Sequence, residues 1–407
     1  MESAKLVARL ARMVGDVGAA EEIAQDVLVI ALEQWPADGV PDSPAAWLMA
    51  TGKHRAVDLV RRRVTYQRKL ERVGRDLETA SDPDLDDDLD DHLRDDMLRL
   101  VFTACHPSLS TDASVALVLR VLAGMRTDEI ARALLVTEAT VAQRIVRAKR
   151  TLAGVAFELP TPRETAERLA AVLEIVYLIF NEGYAATAGS DWVRPALCNE
   201  AMRLGRVLAG LAPWEPEVHA LVALMELQAS RIPARTGPDG APILLPDQDR
   251  RRWDRLLIRH GLAAIDRVTE LGGTYRPYAL QAAIAACHAR AVTAADTDWV
   301  RIAALYGILA TLSPSPVVEL NRAVAIGFAD GPEHGLAIVD QLVEAGVLPA
   351  YPQLPAVRGD LLARLGRRDE ARAEFHRAAS LTRNDRERDI FAHRARDLDG
   401  GGAGHAG

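Results

Sequence analysis

Only three cysteines occur in 407 residues, Cys105, Cys198 and Cys287. They are too few and too scattered for a disulfide framework, and they fit a reducing cytosol. No apolar run approaches the roughly 18–20 residues that cross a bilayer, and the N-terminus has no signal-peptide apolar stretch. The sequence therefore reads as cytoplasmic, with no membrane partner. Aromatic residues are scarce at 5%, whereas Ala, Leu, Arg and Val abound, which favours helix over sheet. No Walker A loop, HExxH or GxSxG occurs, so enzymatic chemistry lacks a constellation and no cofactor is expected. Cys105-His106 and Cys287-His288 lack the CxxC or HxxxH company of a metal site, and no metal is expected.

What is present is a strong segregation of charge beneath a net of −8. Residues 52–75 carry nine Lys/Arg against Asp58 and Glu71, a net of +7. Residues 76–96 then carry ten Asp and Glu78 against one Arg. Residues 120–150 return to a net of +4. A single charge run is commonly a solvated face. Two basic segments separated by an acidic tether are less easily dismissed in that way.

Periodicity is helical throughout. Leu6, Leu10, Met13 and Val14 share one face, and Ile23, Val27, Ile30 and Ala31 share another. Trp35-Pro36 is expected to end the second helix, and a third is expected over about 44–63. Beyond the acidic stretch, helices are expected near 95–105 and 112–124. Thr127 is expected to cap a short helix at 128–135, and Thr137 a longer one at 138–153. Ile130, Ala131 and Leu134 would face Val141, Ile145, Ala148 and Leu152 across a tight turn at Leu135. The outer face of the second helix then shows Thr140, Gln143, Arg144, Arg147 and Arg150. This is the pattern of a helix-turn-helix whose second helix enters the major groove. An ordinary αα-hairpin shares the spacing. Leu135 stands where such turns usually place Gly, which implies a different turn or strain.

Two further motifs precede this one: AEEIAQDV at 20–27 and AWLMATGKHRAVDLVRRR at 46–63. With the helix-turn-helix they resemble the sigma-70 family, specifically its small extracytoplasmic-function (ECF) type. Ala20, Glu21, Ile23, Gln25, Asp26 and Val27 match the first family motif. Trp47, Leu48, Ala56, Val57, Asp58, Arg61 and Arg62 match the second, and Val136, Glu138, Thr140, Val141, Arg144, Arg147 and Ala148 match the third. His54, Met49 and Ala142 depart from the usual Asn, aromatic and Lys. The chain also opens inside the first helix, where the family usually has another turn or more. The resemblance implies core RNA polymerase and promoter DNA as partners. Glu21, Gln25 and Asp26 would bind polymerase. Lys53, His54, Arg55, Arg61 and Arg62 would bind the −10 element, and Thr140, Gln143, Arg144, Arg147 and Arg150 the −35 element.

ECF factors usually stop near residue 155–200, but this chain continues for about 240 residues. Gly359, Leu362, Gly366, Ala371, Phe375 and Ala378 sit at the spacings of one tetratricopeptide (TPR) repeat, and Ala337 hints at a weaker one. A plain helical hairpin would share these spacings. YLIFNEGY (177–184), LMELQASR (224–231) and SPVVELNRAVA (315–325) resemble the ECF subgroup with a TPR-like extension. That likeness implies a regulatory or supporting role and a possible DGPF/YCII-type partner. Asn181, Glu182 and Tyr184 could line a polar pocket, or simply end a helix with Gly183 as its C-cap. The expectation is an all-α protein: two small sigma domains at 1–65 and 95–156 joined by a charged linker at 66–94, a helical TPR-like domain at 163–398, and a disordered tail at 399–407. The rival functions are a helix-turn-helix regulator acting without polymerase and an enzyme with a site in the C-terminal domain.

Overall fold

The computed structural model describes residues 2–71, 89–134, 136–186, 188–189, 191–237 and 241–400. The central part of the expected linker, residues 72–88, lies outside them. So do Leu135 of the expected turn and residues 401–407 of the tail. Among the described residues there are eighteen α-helices, and the only strands are two of two residues each. None of the helices is long and apolar enough to cross a membrane. The chain divides into two units, Met1–Leu178 and Ile179–Gly407.

The first unit holds α1 (Glu2–Val14), α2 (Val17–Asp38), α3 (Pro44–Glu71), α4 (Leu89–Ala104), α5 (Thr111–Val121), α6 (Thr127–Leu134), α7 (Glu138–Leu152) and most of α8 (Pro162–Tyr184). Helix α1 packs against α2, α3 and α4. Leu6, Val7, Leu10 and Ala11 are buried on it, while Met13 and Val14 are only half-buried. Gly15, at φ +67, ends α1, and the Asp16 carboxylate caps α2 by accepting from the Ala19 N–H at 2.8 Å. Several boundaries differ from the sequence reading. Helix α2 continues through Pro36 to Asp38. Proline there removes one N–H in the last turn, where few bonds remain to be lost. Helices α3 and α4 extend into both ends of the expected linker.

The second unit completes α8 and continues through α9 (Pro195–Leu211), α10 (Pro216–Ala229), α11 (Arg255–Glu270), α12 (Pro277–Arg290), α13 (Trp299–Leu312), α14 (Pro316–Ala329), α15 (Pro332–Glu344), α16 (Gln353–Arg364), α17 (Arg368–Leu381) and α18 (Asp385–Gly400). From α9 onward each helix packs on the next, and α10 also packs on α12. Proline at N1 starts α9, α10, α12, α14 and α15, where its missing N–H costs nothing. Strands β1 (Ala188–Gly189) and β2 (Arg383–Asn384) pair in parallel. The buried Asn384 amide donates to the carbonyls of Ala186 and Asp191 at 2.9 and 2.8 Å.

The hairpin expected at 359–378 is present as α16 and α17. Leu362, Ala371, Phe375 and Ala378 are at most 1% exposed. A Cβ on Gly359 would stand 3.0 Å from the Phe375 ring. Ala337 does not occupy an equivalent place, because it is exposed on α15. The close approach there belongs to Gly335, whose Cβ would meet the Ala323 carbonyl oxygen at 2.6 Å. Gly183 is likewise not a C-cap. It lies inside α8, and a Cβ would fall 2.7 Å from the Cys198 backbone nitrogen.

Phe375→Ala should lower unfolding free energy by about 3–5 kcal/mol, the usual cost of emptying a well-packed aromatic site. Urea titration followed by circular dichroism measures this, and a loss below about 1 kcal/mol would show that α16 and α17 do not close over Phe375.

Candidate nucleic-acid interface

Helices α6 and α7 form the expected pair. Ile130 and Ala131 are buried against Val141, Ile145, Ala148 and Leu152. Thr137 caps α7, its hydroxyl accepting from the Thr140 N–H at 3.1 Å. Thr127 does not cap α6. The helix already includes it, and the Glu129 carboxylate reaches back to the Arg126 N–H at 2.8 Å, the acidic half of a capping box.

On α7, Gln143, Arg147 and Arg150 are exposed, and Thr140 is half-buried and hydrogen-bonded to Thr137. Arg144 is less free than its spacing implies. Its guanidinium holds Asp112, in the first turn of α5, at 2.5 Å. On α3, Lys53, His54, Arg55, Arg61 and Arg62 are all exposed. Arg55 is joined to Asp26 of α2 at 2.7 Å, a surface pair worth at most about 1 kcal/mol. One expected −10 residue and one expected polymerase residue thus meet. Trp47 is half-buried edge-on against Trp35, ring centroids 5.5 Å apart.

Glu21 is placed quite differently from an exposed docking residue. It is 5% exposed. Its Oε1 accepts from Arg120 Nε of α5 at 2.8 Å, and its Oε2 from Lys149 Nζ of α7 at 2.6 Å. Gln25, one turn on, also donates to Oε1. Arg120 is itself fixed by donating to the Met125 carbonyl at 3.2 Å. The Lys149 side chain packs beside Gly18 of α2, 3.4 Å from where a Cβ would stand. The two sequence motifs expected to face different partners are therefore joined through one carboxylate. Neither Arg120 nor Lys149 was singled out from sequence, because both fell inside a basic segment assigned to DNA. The available signal was Lys149's position, one residue beyond the buried Ala148.

A second buried carboxylate works in the reverse direction. Asp96 on α4 is fully buried and lies 3.5 Å from Arg12 of α1 and 2.9 Å from Arg99. Burial raises its pKa above the usual carboxylate value, against the opposing pull of Arg12 and Arg99. No group of His, Cys, Asp and Glu suited to a metal ion occurs among the described residues.

A Glu21→Gln and Lys149→Met cycle should give a coupling energy of about 0.5–3 kcal/mol in equilibrium unfolding. Additive effects would mean that α2 and α7 are not held together in solution. Asp96 gives a pH test. With its folded pKa raised, the folded state binds the extra proton between the unfolded and folded values. Stability from this group is full below pH about 4 and falls as pH rises through the folded pKa. The difference in unfolding free energy between wild type and Asp96→Asn should therefore shift against wild type as pH rises from about 4. A flat difference would overturn it.

Comparison with known proteins agrees with this geometry. Residues 2–65 match Sigma-70 region 2, and residues 99–152 match Sigma-70, region 4. Residues 168–269 match a family of unknown function, DUF6596. An uncharacterized protein of Rhizobium meliloti (strain 1021) is 46% identical over 382 residues, which cover 92% of this chain and 89% of that protein. With both regions in place and their helices formed, the chain belongs to the sigma-70 family, as a sigma factor that directs RNA polymerase in transcription initiation.

Proposed function

We propose that the chain is a sigma factor of the ECF type whose C-terminal helical unit regulates or supports its activity. The observation that carries this reading is the spacing of the two matched regions. Region 2 ends at residue 65 and region 4 begins at 99. Two DNA-facing domains joined by one tether are the minimal set for recognising −10 and −35 elements. In this reading Lys53, His54, Arg55, Arg61 and Arg62 hold the −10 strand, where cations neutralise phosphates. Gln143, Arg147 and Arg150 meet the −35 groove directly, and Arg144 joins them on leaving Asp112. Gln25 and Asp26 offer the polymerase surface on α2. The docking of Glu21 on Arg120 and Lys149 is the polymerase-free state, and polymerase binding along α2 exchanges those contacts for its own. The C-terminal unit takes a protein partner, for which the DGPF/YCII type is the candidate.

Retention of the full chain on cognate core RNA polymerase, followed by run-off transcription from a promoter mapped after overexpression, tests this. The expected result is co-purification and a discrete transcript, with Asp26→Ala weakening retention. Arg147→Ala should cost about 1–3 kcal/mol in promoter binding and relax sequence preference. Tight, specific DNA binding without polymerase retention would make the chain an operator-binding regulator instead.

A further inference from the structure

The C-terminal unit buries three guanidiniums that form no close ion pair among the described residues, although Asp296 attracts Arg250 from farther off. Residues 231–253 leave α10 and return to α11 as a loop closed by the Asp254 N–H, which donates to the Ser230 carbonyl at 2.8 Å. Arg231 opens this loop, and Arg250 and Trp253 close it. Arg231 is 8% exposed, Arg235 and Arg250 6%, and Trp253 2%. Among the described residues, no carboxylate stands within ion-pair distance of these three guanidiniums. Arg235 donates to the Tyr184 carbonyl and lies 3.8 Å above the Tyr184 ring. Arg250 donates to the carbonyls of His288 and Ala291 at 2.8 and 2.9 Å and to the Thr297 hydroxyl at 3.0 Å. Arg231 and Arg250 both sit over Trp253, their guanidinium carbons 5.5 and 4.9 Å from the ring centroid. His288 beside them is driven down to a pKa of about 3 by burial and by these two arginines, so it stays neutral.

Among the described residues in and around this loop, the unmade hydrogen bonds belong to three donors, the Gln248 Oε1 acceptor and His288 Nδ1. Arg231 Nε, Arg250 Nε and Trp253 Nε1 are buried N–H donors without an acceptor, and His288 Nδ1 is buried without a partner. Stacking on Trp253 offsets part of the desolvation of the guanidiniums. It uses the ring face, however, and leaves the N–H groups unsatisfied. Buried guanidiniums with several orphaned donors make a hydrogen-bond demand that an acceptor-rich anion can meet. A monovalent halide could meet only part of such a demand. Guanidinium and indole donors together suit an oxyanion carrying two or more negative charges.

We infer that Arg231, Arg250, Trp253 and His288 form a binding site for a small multivalent oxyanion, a phosphate or polycarboxylate group, at the stem of the 231–253 loop. The site lies entirely in the C-terminal unit and does not depend on the sigma-factor reading.

The test uses the full chain in thermal unfolding, with inorganic phosphate, citrate or chloride titrated at matched ionic strength. Line broadening of the phosphate ³¹P resonance gives a direct second measurement. The expected result is a concentration-dependent rise in Tm with phosphate or citrate that chloride does not reproduce. Arg231→Met should weaken that response at least about tenfold. Without added anion it should unfold no lower than wild type, since an apolar side chain replaces an unpaired buried charge. Arg147→Ala, on the DNA-facing helix, should leave the response intact. Should Arg231→Met not fold, Trp253→Phe, which removes one donor and keeps an aromatic face, should weaken it. A response to phosphate alone assigns a phosphate group, and one to citrate alone a polycarboxylate. No response beyond chloride, or one that persists undiminished in the variant that folds, overturns the site.

Discussion

A single buried carboxylate, that of Glu21, sets the arrangement of the first unit. It draws Arg120 from α5 and Lys149 from α7 onto α2. Taking three charged groups out of water is expensive, and their mutual attraction does little more than offset the cost. The interaction is therefore weak evidence for stability and strong evidence for register. Once Glu21 is buried, losing either cation leaves an uncompensated charge, so α2 and α7 are held in one relative position. Asp96 repeats the device with the donors exchanged, its carboxylate on α4 meeting Arg12 on α1. Each domain thus contributes an acid to the other's base, a reciprocity that apolar contacts would not impose.

The same geometry bears on function because its contacts are drawn from residues otherwise suited to partners. Helix α2 carries the polymerase-like motif and α7 the recognition face. Lys149, Arg144 and Arg55 are engaged by Glu21, Asp112 and Asp26 respectively. The last two pairs include exposed groups, and DNA phosphate can compete for them at modest cost. The Glu21 pair is buried and cannot be exchanged so cheaply. In the function proposed above, this ordering makes the helix-to-helix docking, rather than the surface pairs, the contact that partners must displace.

The C-terminal unit is built on a different principle. Its helices pack largely on their sequence neighbours, which keeps loop-closure cost low. Close approach is bought with glycine: Gly183 against Cys198, Gly335 against Ala323 and Gly359 against Phe375. Against this economical frame, Arg231, Arg235 and Arg250 stand out as buried cations with no close carboxylate among the described residues.

The sequence by itself determined the all-α class, the motifs of regions 2 and 4, the cap at Thr137 and the hairpin closed by Phe375. All of these depend on contacts within a few turns, where period and capping chemistry are local. It also placed Gln143, Arg147 and Arg150 on an exposed face, because outward positions follow from the apolar stripe alone, while Lys53, His54, Arg61 and Arg62, which came from the family resemblance, are exposed as well. It misplaced helix ends at Pro36, Arg63 and Thr127, where a residue's tendency to stop or cap a helix was overruled by the next hydrogen bond available. Only the tertiary structure decided that Glu21 is buried and Arg144 tied down. The cations that hold Glu21 stand 99 or more residues away, and the carboxylate that holds Arg144 stands 32 away. Tertiary contacts likewise revealed that LMELQASR ends in a buried cation. Helical period gives the face a side chain occupies, but what covers that face is set by contacts distant in the chain, and charge in a sequence carries no mark of its eventual partner.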